Sequence, residues 1–211
     1  MASVTCTFDV RTTMTNHFYC CEAKNQDIPI NAIFTGKHRL GENNRRVKSI
    51  FINLCRMTII PQTLGLTFVN IRNLYINNSS LKSITKFDLV NIEHLERIHV
   101  IGNDIEFLPG DLFEFTKKVK YLQFGRNKIK YIGPNILEGL DVRSASFSGN
   151  VNINCWYCEG KLPNNAISLE QLKWKIRNYC EPPMDERELL KTYGRNPDDG
   201  HSIPKKKPRL N

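Results

Sequence analysis

No stretch of eighteen or more apolar residues occurs in this chain of 211 residues, so no transmembrane helix is expected. The opening run Met1-Ala-Ser-Val-Thr-Cys6-Thr-Phe8 contains no apolar h-region. A secretory signal peptide is therefore not expected within the chain as it stands. That leaves three origins: a mature chain, a chain whose leader is encoded upstream, or an intracellular protein. Catalytic signatures are absent as well. His17, His38, His94, His99 and His201 have no matching Ser or Cys nucleophile motif. There is no G-x-S-x-G, no H-E-x-x-H and no phosphate-binding glycine loop. The expectation is a protein that is not an enzyme and uses no cofactor. Acidic residues are scarce: 21 Asp and Glu face 30 Lys and Arg, for a formal charge of +9.

What the chain does have is a period. The frame L-x-x-L-x-L-x-x-N-x-L-x-x-L starts at residues 47, 71, 95 and 119, each 24 apart. Val47, Ile50, Ile52, Cys55, Met57 and Ile60 fill the first copy. Ile71, Leu74, Ile76, Ser79, Leu81 and Ile84 fill the second. Leu95, Ile98, Val100, Asn103, Ile105 and Leu108 fill the third, and Val119, Leu122, Phe124, Asn127, Ile129 and Ile132 the fourth. A degenerate fifth copy runs Val142, Ala145, Phe147, Asn150. A fixed period of this length predicts a stacked solenoid. The L-x-L centre alternates apolar and polar, which is the strand period. One short strand per copy would stack on the next as a parallel sheet. No copy can bury its own apolar face, so stability comes from nearest-neighbour stacking. Asn103, Asn127 and Asn150 occupy one rung, with Cys55 and Ser79 at the same position in the first two copies. A buried Asn there can satisfy backbone groups of the turn and of the adjacent copy.

The frame resembles the extracellular class of leucine-rich repeat, as in small leucine-rich proteoglycans and Toll-like receptor ectodomains. The phrases Asn127-Lys-Ile-Lys-Tyr-Ile-Gly-Pro134 and Asp111-Leu-Phe-Glu-Phe115 look more narrowly like small secreted leucine-rich repeat proteins of flies and midges. With caps, the resemblance covers residues 6 to about 182. It implies an α/β leucine-rich repeat solenoid with a curved parallel sheet on its concave face. It also implies ligands such as proteins, microbial surface glycans or matrix components, without choosing among them.

Cysteines cluster where such an array ends. Cys6, Cys20 and Cys21 precede the repeats, Cys155, Cys158 and Cys180 follow them, and Cys55 alone lies within. End repeats expose an open apolar face and unpaired backbone, so caps need staples. Cys6 is expected to pair with Cys20 or Cys21, and Cys155 or Cys158 with Cys180. Such bridges persist in oxidising compartments, which favours a secreted, extracellular protein over a cytoplasmic or nuclear one. Seven cysteines is an odd count, so at least one thiol is left over, and Cys55 is the first candidate. The competing reading of Cys155-Trp-Tyr-Cys158 as a zinc or redox motif lacks a second ligand pair and a βαβ context. No metal site is expected.

The domain reading follows. Residues 1–46 form an N-terminal cysteine cap containing a hairpin of two strand-like runs, around Thr5–Val10 and His17–Ala23. Residues 47–154 are five repeats. Residues 155–183 are a C-terminal cysteine cap, with a helix over Ser168–Asn178 opened by the capping-box pair Ser168 and Gln171. Leu169, Leu172, Ile176 and Tyr179 share one face of it. Residues 184–211 form a basic tail, mostly disordered by composition, with a short helix at Asp185–Tyr193.

Residues between the strand leucines would point out of the concave face in three columns. Ser49, Asn73, Arg97, Tyr121 and Ser144 form the first. Phe51, Tyr75, His99, Gln123 and Ser146 form the second. Asn53, Asn77, Ile101, Gly125 and Ser148 form the third. Tyr and Arg are enriched in binding hot spots, so Phe51, Tyr75, Arg97, His99, Tyr121 and Gln123 are the candidate ligand-binding residues. Two overlapping sequons make Asn77 and Asn78 glycosylation candidates, of which crowding permits one at a time. A second class of reading is an intracellular adaptor for protein or RNA with its thiols reduced. Nucleic acid is not the expected partner. A third is polyanion binding through Lys37, Arg39, Arg45, Arg46, Lys48 and Arg56, which face Glu42 as their one local acid, together with the tail Pro204-Lys-Lys-Lys-Pro-Arg-Leu210.

Overall fold

A computed structural model describes residues 2–12, 17–160 and 166–179. In chain order its strands begin with β1 (Ser3–Thr5), β2 (Thr7–Thr12), β3 (His17–Lys24), β4 (Ile33–Thr35), β5 (Ser49–Asn53) and β6 (Asn73–Asn77). They continue with β7 (Arg97–Ile101), β8 (Phe107–Leu108), β9 (Tyr121–Gln123), β10 (Tyr131–Ile132), β11 (Ser144–Ser146) and β12 (Trp156–Cys158). Among the described residues the α-helices are few and short: α1 (Thr63–Thr67), α2 (Lys86–Leu89) and α3 (Leu169–Tyr179). None is long and apolar enough to cross a membrane.

Alternation builds the sheet. Ile50, Ile52, Leu74, Ile76, Ile98, Val100 and Leu122 are all fully buried, while Phe51, Tyr75, His99 and Gln123 between and after them are half-buried. Each strand thus has one apolar and one open face. A mixed sheet of eight strands results, in the order β12-β11-β9-β7-β6-β5-β3-β2. From β3 to β11 every neighbour is parallel. The pairing offset between β5, β6, β7 and β9 is the 24-residue period: Ile50 lies beside Leu74, Leu74 beside Ile98, and Ile98 beside Leu122. Antiparallel strands close both ends, β2 against β3 and β12 against β11.

Behind the sheet the chain returns through a second, smaller ladder, β8 parallel to β10, with Phe107 and Tyr131 stacked at 5.1 Å. The backbones there approach closely. A Cβ added to Gly133 would lie 2.1 Å from the Gly110 nitrogen. Phe68, Phe113, Phe124 and Phe147 are among the largest buried side chains of the core, with Phe124 and Phe147 stacked at 6.1 Å. Ion pairs spaced by the repeat, Arg72–Glu96 at 2.8 Å and Lys128–Asp104 at 2.7 Å, run along the exposed flanks. Exposed pairs of this kind contribute about 0–1 kcal/mol each.

The rung of polar side chains caps each strand's end. Asn103 Oδ1 accepts from the backbone N–H groups of Ser79 (2.9 Å) and Leu81 (3.2 Å). Its Nδ2 donates to the carbonyls of Ile76 (2.9 Å) and Ile101 (3.1 Å). Asn127 donates to Val100, Phe124 and Gly125 and accepts from Ile105 N–H. Asn150 accepts from Ile129 N–H and donates to Phe124 and Phe147. Ser79 Oγ accepts from Cys55 N–H at 3.2 Å and donates to Asn77 O at 2.8 Å. Cys55 reaches the Ala23 and Asn53 carbonyls at 3.5 Å.

At the N-terminal end Cys6 is bridged to Cys21, with Cα atoms 5.3 Å apart and a sequence separation of 15. The choice between Cys20 and Cys21 follows from strand parity. Cys21 faces inward beside Phe8, whereas Cys20 aligns with Asp9 and Ser49 and donates its thiol hydrogen to Asp9 O. Changing both Cys6 and Cys21 to Ala is expected to cost about 3 kcal/mol, the loop-closure value for such a span. Urea unfolding of the oxidised wild type against the double variant measures this, and equal midpoints would mean the bridge contributes nothing.

At the other end the expected bridge reaches outside the described residues. Among the described residues Cys20, Cys55, Cys155 and Cys158 carry free thiols. Cys155 is buried in the core and Cys158 is half-exposed on the edge strand β12. Cys180, with which one of them was expected to pair, lies outside the described residues, as do 181–211 with the short helix and basic tail. Covering of this end falls to α3. Ser168 and Gln171 cap it reciprocally, Ser168 N–H to Gln171 Oε1 at 2.8 Å and Gln171 N–H to Ser168 Oγ at 3.1 Å. Leu172 and Ile176 are buried against the core, and Leu169 packs on it partly buried.

Candidate functional site

The open face of the sheet carries the candidate residues because the register aligns them. Ser49, Asn73, Arg97, Tyr121 and Ser144 are successive neighbours, as are Phe51, Tyr75, His99, Gln123 and Ser146. Parallel in-register stacking places equivalent side chains close enough for ring contacts. Phe51 and Tyr75 stack at 4.5 Å with planes 2° apart. His99 stands perpendicular to Tyr75 at 4.9 Å. The Arg97 guanidinium lies 4.3 Å from the centre of the Tyr121 ring. All six candidates are half-buried. The first column begins differently from its expectation. Ser49 and Asn73 are buried, tied to one another by Asn73 Nδ2 donating to Ser49 Oγ at 3.0 Å.

Two participants were missed from sequence. Arg11 of β2 places its guanidinium 4.3 Å from the Phe51 ring centre and forms an ion pair with Glu22 of β3. Glu22 aligns with Phe51, and its Oε1 accepts from Asn53 Nδ2 at 3.0 Å. Asn53 Oδ1 in turn accepts from Asn77 Nδ2 at 3.1 Å. The available signal was the cap hairpin itself. Once β3 lies beside β5, Glu22 must enter the aromatic column.

The electrostatics of the face follow from burial. His99 is pushed down to about 4 from an ordinary 6.5, first by desolvation and then by the neighbouring Arg97. It is therefore neutral at physiological pH. Burial pushes the Cys20 and Cys55 thiols up, so neither is an activated nucleophile.

The sequons differ in setting. Asn77 is held in the amide ladder on the open face, and the hydroxyl of its third residue, Ser79, belongs to the buried rung. Asn78 is exposed at the turn after β6, with φ at +49°. The basic stretch is less free than its sequence suggests. Arg39 pairs with Asp9, Arg46 with Glu42 at 3.7 Å, and Arg56 with Asp27 at 2.6 Å. Asp9 and Asp27 come from elsewhere in the cap, which a local count of acids overlooks.

No family model matches the chain. A stretch of 82 residues is 24% identical to the high affinity nerve growth factor receptor of Rattus norvegicus, covering 38% of this chain and 10% of the receptor. The Mus musculus receptor of the same name matches to the same extent. The chain thus spans about a tenth of the length of these relatives. Among solved structures, the Toll–Spatzle complex, described as a hub in Drosophila development and innate immunity, aligns at a TM-score of 0.47 and 16% identity. That alignment covers 59% of this chain and 18% of the other.

Proposed function

We propose that this chain is an extracellular leucine-rich repeat solenoid that recognises a protein ligand, without catalysis, through the open face of its sheet. The observation that carries the reading is the side-chain ladder Arg11–Phe51–Tyr75–His99, with Arg97–Tyr121 beside it. Pre-packed aromatic and arginine side chains lose little rotamer freedom when a partner arrives, which is how hot spots are built. Three things support the extracellular setting: the 24-residue frame, the Cys6–Cys21 bridge, and the match to a segment of a receptor. The intracellular adaptor remains the second reading, and it predicts seven alkylatable thiols in protein from the native source. Polyanion binding through the cap loop is the weaker alternative, because Arg39, Arg46 and Arg56 already face carboxylates.

The test is site-specific photocrosslinking in fluid from the native source. A photoreactive residue at Gln123, on the open face, should capture a partner that the same group at Lys130, on an exposed flank, does not. Adding Tyr75→Ala and Tyr121→Ala should abolish capture while leaving the melting curve close to wild type. Equal capture from both positions, or capture that survives the double change, moves the site off this face.

A further inference from the structure

The ring faces of the ladder are already covered. Strand order sets Arg11 and Tyr75 on opposite sides of β5, with the guanidinium 4.3 Å and the Tyr75 centroid 4.5 Å from Phe51. Tyr75 has Phe51 on one side and the perpendicular His99 ring on the other. Tyr121 carries Arg97 on one face. A sugar binds an aromatic side chain by laying its C–H face on the ring face, and Phe51 and Tyr75 have none to offer. They leave a ligand their rims, which bear the positive part of the ring quadrupole.

The polar groups around the rims point the same way. The open positions of β5, β6, β7, β9 and β11 include no carboxylate. Glu22 at the margin is engaged by Arg11 and Asn53. Arg97 is half-buried, and its guanidinium rests on the Tyr121 ring with no carboxylate among the described residues paired to it. A planar guanidinium in a partly dry setting takes a carboxylate through two parallel hydrogen bonds. A densely charged glycan would want several free cations in a row, and here Arg11 is paired while Lys24 at the end of β3 and Arg97 on β7 are separated by β5 and β6.

We propose that the occupant is an acidic segment of a partner protein, which seats one carboxylate on Arg97 and lays its other oxygens against the rims of Phe51, Tyr75 and Tyr121. The proposal rests on the reading of the open face as the binding surface. The probe is a random-peptide phage library selected on the immobilised chain, with each enriched peptide then measured against the wild type and the variants. A glycan array carrying neutral β-glucan and heparin is run in parallel. Enriched peptides should share an Asp or Glu. Their affinity should fall about ten- to hundredfold on Arg97→Gln and recover in part with Arg97→Lys. Melting curves of the variants check folding. Peptides without a common acid, or an affinity indifferent to Arg97→Gln yet lost with Tyr75→Ala and Tyr121→Ala, overturn the acidic-ligand proposal and leave the face as the site. Binders indifferent to all three changes overturn the face itself. Glycan binding that depends on the tyrosines, with no peptide enriched, assigns the face to carbohydrate and also overturns the proposal.

Discussion

Asn103→Ala should destabilise the chain by about 3–5 kcal/mol, the range expected when a buried network loses its centre. One carboxamide there serves four backbone groups from two successive copies of the repeat: Ser79 N–H, Leu81 N–H, Ile76 O and Ile101 O. The residue is 4% exposed, so water cannot replace it cheaply. The rung provides its own internal control, because the position is filled by residues of decreasing reach. Ser79→Ala removes one acceptor for Cys55 N–H and one hydroxyl donor, which has two carbonyls within reach at 2.8 and 3.4 Å. Cys55→Ala removes thiol contacts at 3.5 Å, which are weak donors. Losses in urea unfolding should therefore rank Asn103 over Ser79 over Cys55. Equal losses at all three would mean that the number and reach of the hydrogen bonds on the rung do not set the cost.

The rung and the strand register were legible in sequence for the same reason. Both repeat every 24 residues, so one alignment of the chain with itself places Ile50 beside Leu74 and Ser79 one level before Asn103. The aromatic columns come with it. What the period cannot reach lies at the ends. Cys21 pairs with Cys6 because strand parity turns it inward, and Cys20 and Cys21 are adjacent, so spacing alone cannot separate them. Arg11 and Glu22 belong to the cap hairpin, which has no repeat to be compared with, and they join the face only through the β3–β5 pairing. Ser49 and Asn73 look like open-face residues by alternation, yet they bond to each other and are covered. The pairing of Arg39 with Asp9 and of Arg56 with Asp27 spans 30 and 29 residues, outside any local charge count.

His99 gives the face a measurable pH signature. Its folded pKa of about 4 lies below the ordinary 6.5, chiefly because the ring is desolvated between its neighbours and secondarily because Arg97 is close. The neutral ring is the form the fold accepts. As pH falls through 6.5 the unfolded chain binds a proton there that the folded chain refuses, so stability present above that pH is lost progressively on the way down to 4. The loss from this one residue amounts to about 3 kcal/mol at most, by the energy of a pKa difference. Asp27 and Asp141 titrate in a lower window, since Arg56 and Lys120 hold their carboxyls below the usual range. Unfolding free energies measured between pH 7.5 and 4.5 should therefore fall for the wild type and stay nearly flat for His99→Asn over the same interval. A parallel decline in both would assign the acid sensitivity to other groups. Arg97→Gln should move the His99 titration upward, because the secondary cause is removed while the desolvation stays. A carboxylate bound at Arg97 should do the same by offsetting its charge. The His99 ring resonance thus reports both stability and occupancy of the face, and a titration that ignores Arg97→Gln would leave burial as the whole cause.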